Sequence, residues 1–116
     1  MSKQTIETMV DWIEENITED ATLDKMSSYV GYSSYYCTTK FHEITGISFK
    51  LYLNKRRLSL AASDLLESND RIIDIAFRYG FSSHEAFTRS FFREFKLSPS
   101  KFRREVSEVR LFKRIL

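Results

Sequence analysis

With 116 residues, 42% of them hydrophobic and seventeen aromatic, the chain can bury a core as one compact unit or two very small ones, which argues against disorder. Three glycines, one proline and no alternating β-branched runs leave no material for a sheet, so an all-α chain is expected. The lone Cys37 excludes an internal disulfide, and the lack of a signal peptide or a twenty-residue apolar stretch predicts a cytoplasmic protein with no membrane partner. The net charge of +2 conceals a polarity: residues 1–47 hold three Lys or Arg against eight acids, residues 48–116 fifteen against eight.

The first predicted helix turns Ile6, Met9, Val10, Ile13 and Ile17 inward and the acidic Glu7, Asp11, Glu14 and Glu15 outward. Leu23, Met26, Ser27 and Val30 then fall at i, i+3, i+4 and i+7, one face of a second helix, with Gly31 placed to end it in a left-handed turn. Ser33 is placed to cap a third helix that buries Cys37, Phe41 and Ile44 and turns Tyr35, Thr38, Thr39 and His42 outward. Ser48 caps a long helix from Phe49 to about Glu67, with Leu51, Leu58, Ala61, Ala62 and Leu65 as its apolar stripe.

Forty-nine residues after the second helix its pattern returns as Ile72, Ile75, Ala76, Tyr79, Gly80, Phe81, Ser82 and Ser83. Beyond the serine pair the offset becomes fifty, so Thr38, Phe41, Ile47, Ser48 and Tyr52 match Thr88, Phe91, Leu97, Ser98 and Phe102. Ser82, with Glu85 three residues on, fits a capping box for a helix burying Phe87, Phe91 and Phe95, with Glu85, Thr88, Arg89 and Phe92 outside. Ser98 followed by Pro99 starts a last helix to about Val106. The chain thus divides into an N-terminal helix-turn-helix subdomain (1–48), a linker helix (49–68), a C-terminal helix-turn-helix subdomain (69–106) and a basic, apolar tail (107–116) with no assigned role.

Two helix-turn-helix copies and a basic second half point to double-stranded DNA. A nineteen-residue linker helix spans roughly 28 Å, comparable to the roughly 34 Å between successive major grooves on one face of B-DNA. Side chains near the start of each recognition helix are the candidates for base edges: Tyr35, Thr38, Thr39 and Lys40 in the first, His84, Glu85, Thr88 and Arg89 in the second. Arg89 has the fork geometry for guanine. The phosphate candidates are Ser33, Ser34, Lys50, Ser82, Ser83, Arg93, Ser100 and Lys101, around helix N-termini whose free N–H groups attract anions. Arg57, beside the apolar stripe, is expected to pair internally. Two histidines, one cysteine and scattered carboxylates form no catalytic or metal constellation, so neither an enzyme nor a cofactor is expected.

The string Ile75, Ala76, Gly80, Phe81, Ser82, Ser83, Phe87, Thr88, Arg89, Phe91, Arg93, Phe95, Ser98, Pro99, Phe102 and Arg103 resembles the signature of the AraC family of bacterial transcription regulators. The first half is similar through Gly31, Tyr32, Ser33, Phe41, Thr45, Gly46, Ser48, Phe49, Tyr52, Leu53, Arg57, Leu58 and Ala61, and in length the chain looks most like the short, stand-alone members. The resemblance implies an activator that binds DNA as a monomer without an attached sensor domain, and it makes the Arg89 position a base contact. With nearly all residues assigned to the readers and their linker no small-molecule effector is expected, and the acidic face of the first helix is free to solubilise the protein or to meet basic patches on RNA polymerase. The chain departs from the family pattern at Thr39 and Lys40, which bears on readout at the first site, and at His42, Glu43 and Phe92, which bears on phosphate anchoring. Thr39, His42, Glu43 and Phe92 favour the alternative, a protein-interaction module of the same fold that modulates a regulator or polymerase without reading DNA, while Arg89, Arg93 and the basic second half stand against it.

Overall fold

The computed structural model describes residues 3–107 and 111–115. Among them are seven helices and no strand: α1 (Lys3–Glu15), α2 (Leu23–Val30), α3 (Ser34–Thr45), α4 (Phe49–Glu67), α5 (Ile72–Arg78), α6 (His84–Phe95) and α7 (Pro99–Glu105). They form two compact units, one running to Asn54 and including Arg114, the other Lys55–Lys113.

In the first unit, Ile6, Met9, Val10 and Ile13 of α1 are fully buried, as the spacing predicts, and Trp12, absent from the predicted stripe, is 8% exposed. Met26 and Ser27 of α2 and Cys37 and Phe41 of α3 complete the core, and Phe49 and Tyr52 set their rings at 6.4 and 5.8 Å from Phe41. Two expectations fail here. Ile44 is 44% exposed, while the rings of Phe49 and Tyr52 pack on Phe41, one turn before it. Leu51 is 47% exposed, because Phe49, Tyr52 and Leu53, at i, i+3 and i+4, fix the buried face of α4 here while Leu51 keeps the phase of the later Leu58, Ala62 and Leu65. The start of α4 matches the prediction: Ser48 Oγ accepts from Leu51 N at 3.1 Å.

The second unit is built on Leu58, Ala61, Ala62, Leu65, Ile75, Ala76, Tyr79, Phe87, Phe91 and Phe102. Its centre is aromatic: Phe91 lies 4.6 Å from Phe95 and 5.1 Å from Phe102, the latter edge to face, a geometry that ring quadrupoles favour. Arg103 closes the far end of α4 by donating to the carbonyls of Leu65 (2.9 Å) and Ser68 (3.2 Å), groups that no helical N–H can reach. The tail, unassigned in sequence, docks through its described part. Leu111 packs on the core, Phe112 N donates to the buried Ser59 Oγ (2.9 Å), and Arg56 donates to the Phe112 carbonyl (2.7 Å). Residues 108–110 and 116 of that tail lie outside the described residues.

Candidate nucleic-acid interface

Each recognition helix is preceded by a helix that glycine ends. Gly31 (φ +85°) closes α2 with its N–H on Ser27 O, and Gly80 (φ +82°) follows α5 with its N–H on Phe77 O. The turns then differ in length. Ser33 caps α3, accepting from Tyr36 N at 3.1 Å, but the cap of α6 is Ser83, accepting from Ala86 N at 3.0 Å. The residue that shifts the offset from forty-nine to fifty therefore sits in the second turn. The expected capping box of Ser82 and Glu85 does not form, because α6 begins at His84 and three residues beyond the true cap stands Ala86, which has no carboxylate.

From the caps onward the two helices run in step fifty residues apart, and most matched positions agree in burial. On α3, Tyr35 is 82% exposed, so it does not join the core, and Thr38, Thr39, His42 and Glu43 are exposed beside it. On α6 the outward residues are His84, Glu85, Arg89, Phe92 and Arg93. Arg89 and Arg93 have no hydrogen-bond or ion-pair partner among the described residues, and the Glu85 carboxylate, one turn before Arg89, does not hold it. Thr88 differs from expectation: it is half-buried, and its Oγ1 is sealed from solvent without a partner.

Several other polar and charged residues are engaged within their units. The Ser34 hydroxyl donates to Asp24 Oδ1 (2.5 Å), which puts a carboxylate against the first turn of α3. Lys40 Nζ lies 3.3 Å from Glu43 and 5.9 Å above the Tyr36 ring, which stacks on Tyr32 at 5.1 Å. Lys55 is bound by both oxygens of Glu94 (3.0 and 3.2 Å). The Arg57 guanidinium lies so close to Gly80 that a Cβ there would come within 2.9 Å of it. Lys50, Ser82, Ser100 and Lys101 are exposed, and Ser98 caps α7 by accepting from Lys101 N (3.3 Å) behind Pro99.

The sequence reading missed the cluster that braces α5. Arg78 donates to Asp64 (2.7 Å) and Asp70 (2.8 Å), and the Tyr79 hydroxyl donates to the same Asp64 oxygen (2.7 Å). Burial first, then the bond to Asp64, pushes the Tyr79 phenol up to about 12, and hydrogen bonding to Arg78 holds the Asp70 carboxyl below its ordinary range. The signal was present as Asp64, Asp70 and Arg78, but nothing local says that these three meet. Among the described residues no cluster of His, Cys, Asp or Glu fits a metal ion, and no helix is long and apolar enough to cross a membrane.

Residues 26–105 match a family model described as a helix-turn-helix domain. The chain is 38% identical over 99 residues to the multiple antibiotic resistance protein MarA of Escherichia coli K12, covering 85% of this chain and 78% of that one. It is 37% identical over 101 residues to the regulatory protein SoxS of Salmonella typhimurium, covering 87% and 94%. Among solved structures it is similar to a transcriptional regulator from Chromobacterium violaceum described as AraC-type and DNA-binding, with a TM-score of 0.82 at 26% identity over 89% of this chain and 92% of that one.

Proposed function

The chain belongs to the AraC-type family of helix-turn-helix regulators, and from that membership we propose how it reads DNA. It is a sequence-specific DNA-binding transcription regulator. In our reading it acts as an activator and binds as a monomer, with α3 and α6 as recognition helices in successive major grooves. The observation that carries this reading is the matched pair of capped helices, each preceded by a glycine-ended helix, with outward residues that include two uncommitted arginines on α6.

Arg89 is the leading base contact, since its planar fork matches guanine O6 and N7 and no intramolecular partner competes for it. Tyr35, Thr38 and Thr39 suit thymine methyls and adaptable contacts, and Arg93, Lys50, Ser100 and Lys101 suit phosphates. Lys40 is set aside as a base reader because Glu43 holds it. On the acidic surface of α1, which suits solubility or a basic patch on RNA polymerase, Glu7 and Glu15 are exposed, while Glu14 accepts from Tyr52 Oη (3.2 Å) and Asp11 from Arg114.

Selection of bound sites from random duplexes, followed by salt titration of one selected site against a scrambled duplex, tests the reading. A recurrent selected sequence bound at least tenfold more tightly than the scrambled one is expected. Equal affinity for both would return the chain to the class of protein-interaction modules.

A further inference from the structure

The internal repeat provides its own control, because each position on α3 has a counterpart fifty residues on in α6. Thr39 stands opposite Arg89, and Glu43 opposite Arg93. The outward face of α6 therefore carries two free guanidinium groups, while the same face of α3 carries none and bears a carboxylate in the second place. The one cation within α3, Lys40, is drawn away. Its ammonium sits 3.3 Å from Glu43 and above the Tyr36 ring, itself stacked on Tyr32, so ring, cation and carboxylate form a strip along i, i+4 and i+7 of the helix. Lys40 is half-buried in this strip and Glu43 is exposed.

We infer that Glu43 is a specificity-determining residue that withholds Lys40 from the DNA backbone. It leaves α3 an electrostatically silent reader whose contacts are those of Tyr35, Thr38 and Thr39. The inference rests on the DNA-binding reading of α3 and deepens it. Backbone neutralisation strengthens binding to every sequence alike, whereas hydroxyl, methyl and ring contacts to base edges strengthen selected sequences alone. A reader without a free cation adds little to binding at random sites, so most of what it contributes is discrimination. The electrostatic hold on DNA then falls to the second unit and to the exposed lysines at helix starts.

The test measures affinity of the full chain for a selected duplex and a random duplex across a salt series, with thermal unfolding followed to confirm that each variant folds. Glu43→Gln frees Lys40, so binding to the random duplex should tighten severalfold, with a salt slope steeper by about one unit, the contribution of one added phosphate contact. The ratio of specific to random affinity should fall. In Lys40→Met/Glu43→Gln the slope and the random-duplex affinity should return to those of the unaltered chain. An unchanged slope in Glu43→Gln, or a gain that survives in the double variant, overturns the inference. If the unaltered chain shows no salt-dependent binding, the DNA-binding reading itself fails and takes the inference with it.

Discussion

At the scale of single residues, the arginines engaged in the fold and those left free for a ligand are different ones. Arg57 lies close against Gly80, and Arg78 and Arg103 are committed within the second unit, to the Asp64 and Asp70 carboxylates and to the end of α4. Arg89 and Arg93 are not. Arg89→Ala should therefore cost about 1–3 kcal/mol on a selected site and relax preference at one base pair, with little effect on stability. Lys101→Ala should weaken binding to all sequences alike and flatten the salt slope by about one unit. Competition titrations against single-base variants of the site separate the two, and equal losses on specific and random DNA for Arg89→Ala would make it a phosphate contact.

Tyr79 gives the residue scale its pH dependence. Its phenol titrates at about 12 in the fold against 10.0 ordinarily, so the neutral form is favoured by folding. The stabilisation is present in full below pH 10 and is lost as pH rises through 10 toward 12, by an amount on the order of 2 kcal/mol. Urea unfolding at pH 8.5 and 11.5, compared with Tyr79→Phe, isolates it: the variant should lose less stability over that interval than the unaltered chain.

At the scale of elements, the repeat allows paired substitutions. Gly31 and Gly80 share a left-handed backbone, but a Cβ at Gly31 meets nothing within 4 Å while one at Gly80 meets the Arg57 guanidinium. Both alanine variants should lose about 1 kcal/mol to the positive φ, and Gly80→Ala should lose more, since Arg57 must also move. Equal losses in thermal unfolding would show that Arg57 yields freely. The ends of α3 and α6 form a second pair. Gly46 occupies the left-handed position in one and Lys96 (φ +64°) in the other. Lys96→Gly should therefore stabilise the second unit by about 0.5–1 kcal/mol, readable as a higher Tm.

Those elements also show what a linear pattern can and cannot reveal. Helix periodicity and caps are local, so the extent of α4, the caps at Ser33, Ser48 and Ser98 and the glycine-ended helices were all legible from spacing. Ser83 was not, since either of two adjacent serines satisfies a capping pattern and the longer turn decides between them. Leu51 was misplaced for a related reason: its phase belongs to one core and its position to the other. Pairings at a distance, such as Arg78 with Asp64 and Asp70 or Lys55 with Glu94, depend on packing that the pattern does not encode. The candidate site was legible as a set of outward residues, but which of its cations were free was not.

At the scale of the whole molecule, the two readers are unequal in charge, in turn length and in outward residues, and that inequality has a consequence for the site they read. A dimer of identical readers calls for a palindrome, because its two-fold axis repeats the same contacts on each strand. One chain that presents α3 with Tyr35, Thr38 and Thr39, and α6 with Arg89 and Arg93, calls for two different half-sites in a fixed order. The expected target is an asymmetric sequence of about 15–20 base pairs, the span of two major-groove segments about one turn apart. Selected sites analysed by native mass spectrometry should hold one chain per duplex, and inverting one half-site within the duplex should abolish specific binding. Two chains on a symmetric site would mean that each chain places a single reader, and the monomer proposal would fall.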